Sequence, residues 1–212
     1  ILKAGYAFVS CSDEAVESGR VTLNNYQTVD LILGKEYQTK MGRGGVTPLQ
    51  YKTFSQPMQE AITAYCSQGG NIFVSGAFVG TDLWDNRLAT SEEVDKKFAT
   101  DILKYKWRVG QAALKGKVKS VASPFPMLTG NYTYHNELNE ESYVVEAPDA
   151  IEPASKEAYT VMRYSENNLS AGVAYQGDYK TYILGFPFET IRTDTERETL
   201  MNAILTFFNS NK

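Results

Sequence analysis

The stretch from Val29 to Ser75 constrains this chain most. Thr28-Val29-Asp30-Leu31-Ile32-Leu33 is an apolar strand pattern closed by Gly34. A helix is predicted to begin near Ser55, with Pro57 in its first turn, where a missing N–H costs nothing. Met58, Ile62, Tyr65 and Cys66 follow the i, i+4, i+7, i+8 spacing of one helical face. Gly69-Gly70 ends that helix, and Asn71-Ile72-Phe73-Val74-Ser75 follows as a strand apolar on both sides. A strand, a helix and a strand in succession place the two strands parallel, joined by a crossover.

The alternation continues on either side. Tyr6-Ala7-Phe8-Val9-Ser10 reads as a short strand running into Ser12, an N-cap residue, with Asp13 and Glu14 at the positive end of the helix that follows. Thr90-Ser91-Glu92-Glu93 has the form of a capping box, opening a helix whose buried stripe is Val94, Phe98, Ile102 and Tyr105. Residues 117–122 are a further strand. Residues 123–158 carry four of the seven prolines and read as an irregular excursion, with a strand around Tyr143-Val144-Val145. Residues 159–163 and 170–175 are strands, and Gly177-Asp178 is a tight turn into a strand at 179–184. Thr193 and Glu196 form a last capping box, opening a helix with Leu200, Ile204, Phe207 and Phe208 inward. The expected architecture is one three-layer, flavodoxin-like α/β domain over residues 1–212. It has a mainly parallel central sheet, helices on both faces and a terminal hairpin.

Charge and hydropathy exclude some partners. A net charge of −4 and a pI near 5.2 argue against nucleic acid. No apolar run approaches the roughly 20 residues that span a bilayer. The chain begins at Ile1 without a methionine, which reads as a processed or excised part of something longer. Cys11 and Cys66 form no metal motif and are expected to be buried free thiols.

Catalytic chemistry is sparse. In several α/β enzyme folds the turn after a central strand carries a Ser or Cys nucleophile. Here its apex is Gly76 or Ala77, neither of which can attack a substrate. The chain has one histidine, His135, with no metal partner nearby in sequence, so a nucleophile–base pair has little to draw on. The Gly-rich segment from Met41 to Pro48 neither follows a strand directly nor opens a helix directly, and reads as a mobile surface loop rather than a phosphate cradle anchored by Arg43. Asp13 and Glu14 would repel a flavin phosphate at the first helix, so no cofactor is expected, and no metal. Eight of the 21 basic residues lie between Lys96 and Lys119. With Tyr105 and Trp107 among them, they form either a strip for an acidic polysaccharide or the solvated face of a helix. Trp84, beside Asp82 and Asp85, reads as packing down its own loop.

Any ligand site is expected beyond the carboxyl ends of the parallel strands. Ser12, Glu14, Glu36, Tyr37, Ala77, Phe78, Asp82 and Glu189 would meet there. Carboxylates so placed can do acid–base work, hold a cation such as calcium, or simply tie down the helix end and backbone amides.

Three stretches carry a family resemblance. They are Phe8-Val9-Ser10-Cys11-Ser12-Asp13-Glu14-Ala15-Val16, the run from Tyr26 to Gly34, and Leu184 to Ile191 with Arg197, Leu200 and Met201. They resemble bacterial secreted proteins labelled xanthan lyases, which often carry a golvesin-like carbohydrate-binding module. The resemblance implies an exported protein and a sheet of the kind used by class I glutamine amidotransferases, whose catalytic Cys is replaced here by Gly76-Ala77. Its implied partners are a polysaccharide or other domains of a longer exported protein. The expected function is a non-catalytic or degenerate amidotransferase-like scaffold or binding domain. The alternative is a polysaccharide lyase or glycoside hydrolase using the carboxylates and tyrosines of the sheet edge.

Overall fold

A computed structural model describes residues 1–40, 49–87, 92–125 and 130–210. After a 3-10 turn at Leu2–Ala4, the chain enters helix α1 (Asp13–Glu17), a second 3-10 turn (Leu23–Asn25) and strand β1 (Thr28–Gly34). The short strands β2 (Thr39–Lys40) and β3 (Leu49–Gln50) pair with each other. They flank the Gly-rich segment, which lies outside the described residues. Helix α2 (Gln56–Ser67), strand β4 (Asn71–Gly76), helix α3 (Thr81–Trp84) and helix α4 (Glu93–Lys97) follow. A wide π-type turn (Phe98–Leu103) leads into β5 (Tyr105–Val109), β6 (Lys117–Ser120), β7 (Asn131–Thr133) and β8 (Ala150–Pro153). The chain ends with β9 (Ala158–Tyr164), β10 (Ser170–Gln176), β11 (Lys180–Leu184), a 3-10 turn (Phe188–Thr190) and helix α5 (Asp194–Asn209).

Among the described residues, the main sheet has seven strands in the order β1-β4-β11-β10-β9-β6-β7. The β1–β4 and β4–β11 pairs are parallel, and the other four pairs are antiparallel. The mainly parallel, flavodoxin-like sheet expected from the alternation is therefore wrong: this is a mixed, mostly antiparallel sheet. The reason is connection length. Residues 165–169 join β9 to β10 and residues 177–179 join β10 to β11, and links this short cannot make a parallel crossover. Only β1, α2 and β4 form the predicted parallel unit.

Helices cover both faces. Phe73, Tyr182, Leu184 and Met162 pack on one side against Leu200, Ile204 and Phe208 of α5. Ile72, Val74, Val173 and Ile183 pack on the other against Met58, Ile62 and Tyr65 of α2. Gly70 is required beside α2, because a Cβ there would stand 2.3 Å from the Tyr65 ring, whose hydroxyl donates to Asn71 O at 3.0 Å. The buried Lys180 ammonium donates to Phe207 O at 2.7 Å and Ser210 O at 2.6 Å, fixing the carboxyl end of α5 to the sheet.

Several local expectations also fail. Residues 6–10 form no strand: Phe8 is 57% exposed and Val9 70%. Cys11, at the end of that segment, is an exposed free thiol rather than a buried one, whereas Cys66 is buried and its thiol is pushed up to about 12 by burial. Tyr143 to Val145 form no strand either. Val145 makes a single main-chain bond to His135 O at 2.9 Å, and the nearby pairing falls to β7 and β8. Val94 faces solvent, because the π-type turn rotates the inward stripe onto Phe98, Ala99 and Leu103. The capping residues Thr90 and Ser91 lie outside the described residues.

The α5 capping box is present. Glu196 N donates to Thr193 Oγ1 at 3.1 Å, and Thr193 N to Glu196 Oε2 at 3.3 Å. Thr193→Ala is expected to lower stability by about 1 kcal/mol and the melting temperature by roughly 2–4 °C, measured by thermal and denaturant melts. An unchanged melting curve would show that packing alone places α5.

Candidate functional site

Three parallel strands end side by side, and the loops that leave them carry the acids. β1 ends at Gly34, which takes a left-handed φ of 53° and whose carbonyl accepts from Ala77 N at 2.9 Å. A Cβ at Gly34 would lie 3.1 Å from the Tyr143 hydroxyl and 3.5 Å from Glu189 Oε1. Glycine thus lets the excursion and the loop after β11 close over the end of β1.

On the α2 side of this rim sits Glu36. Burial, and then the charges of Asp13, Asp82, Glu17 and Glu14, push its carboxyl up from 4.5 to about 7. Glu14 is at the first turn of α1, fully exposed and held below its ordinary value chiefly by a hydrogen bond from Ser12. Ser12 is the N-cap residue of α1, although its hydroxyl makes no cap bond. Tyr37 and Phe78 pack as tilted rings 5.1 Å apart beside the rim. Ala77 is buried in the turn. Asp82 is buried and accepts from Gln38 N at 3.0 Å, Thr53 N at 2.8 Å and the Asn86 amide, so its oxygens hold backbone in place.

On the α5 side lie Asp30 and Glu189. The Tyr143 hydroxyl donates to Glu189 Oε1 at 2.5 Å, while Glu189 Oε2 and Asp30 Oδ1 are buried without a hydrogen-bond partner among the described residues. Burial and the neighbouring Glu189 push the Asp30 carboxyl up from 3.8 to about 7. The Ser75 hydroxyl, on the strand next to β1, is also buried without a partner among the described residues.

Of the eight expected residues, Ser12, Glu14, Glu36 and Asp82 lie on the α2 side, Ala77 and Phe78 pack with the α5-side core, Tyr37 stacks against Phe78, and Glu189 lies on the α5 side. Asp30, Ser75 and Tyr143 were not anticipated. Asp30 and Ser75 were visible in principle, since each is a polar residue inside an otherwise apolar strand, where burial demands a partner. Tyr143 had no such mark.

Other candidates resolve as packing. His135 is buried, its N–H donates to Thr190 O at 2.9 Å, and its Nε2 lies 3.5 Å from Glu141. The basic residues are spread over α4, β5, β6 and their connections rather than forming one helix face. Lys106 and Arg108 flank Glu152 at 3.7 and 3.8 Å, Lys104 lies over the Tyr175 ring, and Trp107 donates to Thr81 and Asp149. Trp84 packs beside Tyr105. Among the described residues, no group of three or more His, Cys, Asp or Glu is arranged to hold a metal ion, and no helix is long and apolar enough to cross a membrane.

No protein-family model and no curated protein matches the chain. Solved structures resemble it in fold. A cold-adapted β-galactosidase from Rahnella sp. R3 matches with a TM-score of 0.51 at 13% identity, over 88% of this chain and 23% of that one. The N-terminal domain of mmIFT52 matches at 0.50 and 13% identity, over 100% of this chain and 88% of that one. The exo-β-1,4-mannosidase Op5Man5 from Opitutaceae bacterium strain TAV5 reaches 0.44 at 10% identity, over 74% of this chain and 24% of that one. The chain spans about a quarter of the length of either glycosidase chain. Such likenesses concern the fold alone. None of the three is a xanthan lyase or an amidotransferase.

Asp30 and Glu36 make stability depend on pH in a definite sense. The folded chain keeps their protons up to about pH 7, whereas the unfolded chain releases them near their ordinary 3.8 and 4.5. Their contribution is therefore complete below those ordinary values and is lost as pH rises through about 7. Asp30→Asn, which cannot ionise, is expected to stabilise the chain at about pH 8 by roughly 1–3 kcal/mol and to flatten the pH dependence of denaturant unfolding. An identical pH dependence in the variant would show that Asp30 is ionised throughout.

Proposed function

We propose that this chain is a non-catalytic scaffold or ligand-binding domain of an exported, polysaccharide-related protein. The observation that carries the reading is the turn after β4. Ala77 is buried, its N–H is taken by Gly34, and a Cβ on Gly76 would stand 2.9 Å from Leu33 Cβ. That turn offers neither a nucleophile nor the room for one. Asp82, the best-buried acid of the rim, is occupied by backbone amides, as a structural carboxylate is. The fold likeness to part of a β-galactosidase chain supports a domain embedded in a carbohydrate-active protein, and the sequence resemblance supports export. A rim rich in acids suits neutral sugar hydroxyls, which donate to carboxylates, better than polyanions.

A second reading is a polysaccharide-active enzyme. The fold likeness to part of a β-galactosidase chain is compatible with this reading too, and Glu36 and Asp30 hold protons near neutrality, as a general acid must.

The two readings separate in one set of assays. The purified chain is incubated with chromogenic galactosides and mannosides and with xanthan, and release of chromophore, new reducing ends and unsaturated products are followed. No turnover above buffer is expected, while an array of neutral glycans shows binding that Glu36→Gln and Glu189→Gln weaken by about tenfold, or about 1.4 kcal/mol. Turnover that disappears with Glu36→Gln or Asp30→Asn would establish the enzyme instead.

A further inference from the structure

Among the described residues, β1 is the last strand of the sheet, paired with β4 on one side only. Beyond its open edge lies a space of about 760 Å³. Every residue from 26 to 33 lines it. A strand sends alternate side chains to opposite faces, so consecutive residues can line one space only when the strand's hydrogen-bonding edge forms the wall. The opposite wall is also consecutive, running from residue 6 to residue 13. Among the described residues, residues 7–11 make no main-chain hydrogen bond, and Phe8 and Val9 are left exposed. Leu23 closes the space on the α2 face and Ile204, Leu205 and Phe208 of α5 close it on the other.

Two stretches of unpaired backbone therefore face each other across a gap roofed by apolar side chains on both faces. We propose that this gap is a docking slot for one extended strand, supplied by a separate partner polypeptide. The incoming strand pairs with the open edge of β1 and with residues 6–10, which become a sheet strand only when it is present. This accounts for the strand pattern of Tyr6 to Ser10, which has no pairing partner in the structure. In the structure residues 6–10 form a wall of the slot rather than its filling.

The chemistry of the slot specifies its occupant. A strand covered on both faces must be apolar on both, so the segment is a short run of β-branched and aliphatic residues. Among the described residues, Asp13, Asp30 and Glu36 line the slot and no lysine or arginine does; the amino group of Ile1, also in the lining, offsets Asp30 only in part, and Asp30 Oδ1 is buried and unpartnered. The segment therefore carries one basic residue facing Asp30.

The probe is the peptide acetyl-Gly-Ser-Val-Leu-Val-Lys-Val-Leu-Ser-Gly-amide, titrated into the intact chain by calorimetry, with hydrogen exchange read by mass spectrometry. Saturable one-to-one binding is expected, with the amides of residues 28–33 slowed by about tenfold or more. A peptide with Glu in place of Lys is expected to bind at least about tenfold more weakly, and one with a central Pro not to bind. Asp30→Asn should reduce the preference for Lys over Glu, leaving only what Asp13 and Glu36 supply. Val9→Lys, at a side chain 70% exposed and so harmless to folding, should weaken binding. Absence of saturable binding, equal binding of the Pro peptide, or binding without protection of residues 28–33 would overturn the proposal. So would protection of those residues in the free chain, where residues 6–10 would be closing the edge, or protection that grows with protein concentration, where a second copy would fill it.

Discussion

The carboxylate of Asp149 joins parts of the molecule that lie far apart in sequence. It accepts from Gly80 N at 2.6 Å and Thr81 N at 2.7 Å, from the Thr81 hydroxyl, and from the Trp107 indole at 3.3 Å. Its own main chain donates to Gly185 O at 2.7 Å and accepts from the Tyr164 hydroxyl at 2.7 Å. One residue thus ties the loop after β4, strand β5, strand β9 and the end of β11 together. Burial pushes its carboxyl up to about 7 against the pull of these donors. Losing it would leave several buried N–H and O–H groups unsatisfied, each at about 1–3 kcal/mol. Gly185 belongs to the same knot, since a Cβ there would stand 2.1 Å from Asp149 O.

That knot fixes the end of β11 beside β4, and so keeps three parallel strands with their carboxyl ends level. The acidic rim follows from this arrangement. Glu36 leaves β1, Asp82 follows β4 and Glu189 follows β11, and parallel neighbours bring such loops together however far apart they are in the chain. The antiparallel half of the sheet adds mass and core, but its turns point both ways and assemble no comparable rim. At the outer edge of β1 the sheet stops with no strand paired to it among the described residues, a condition proteins ordinarily avoid by covering the edge.

The sequence made the α2 unit legible because a 3.6-residue stripe ended by Gly69-Gly70 has few other readings. The hairpin of β10 and β11 was equally clear from Gly177-Asp178. The error in sheet sense came from extending one parallel crossover to the whole sheet, although those short turns already required antiparallel pairs. The strand patterns at Tyr6 to Ser10 and Tyr143 to Val145 were real patterns without neighbours to pair with, and a strand exists only through its neighbours. For the rim, topology alone brought Glu14, Glu36 and Asp82 together on one side of the strand ends and Glu189 on the other. Asp30 is not marked out as a site residue by the sequence, because it sits inside an otherwise apolar strand pattern that does not say which face is covered.

The sequence by itself determined the helices α2 and α5 with their N-caps, the Gly69-Gly70 stop of α2, and that Gly76-Ala77 offers no nucleophile after β4. These depend on residues within a few positions of one another. Only the tertiary structure decided which strands lie beside β1, which carboxylates share a charge environment, and that Tyr143 reaches Glu189 across 46 residues. Those outcomes depend on loop closure and burial among distant segments. Side-chain periodicity carries no record of them.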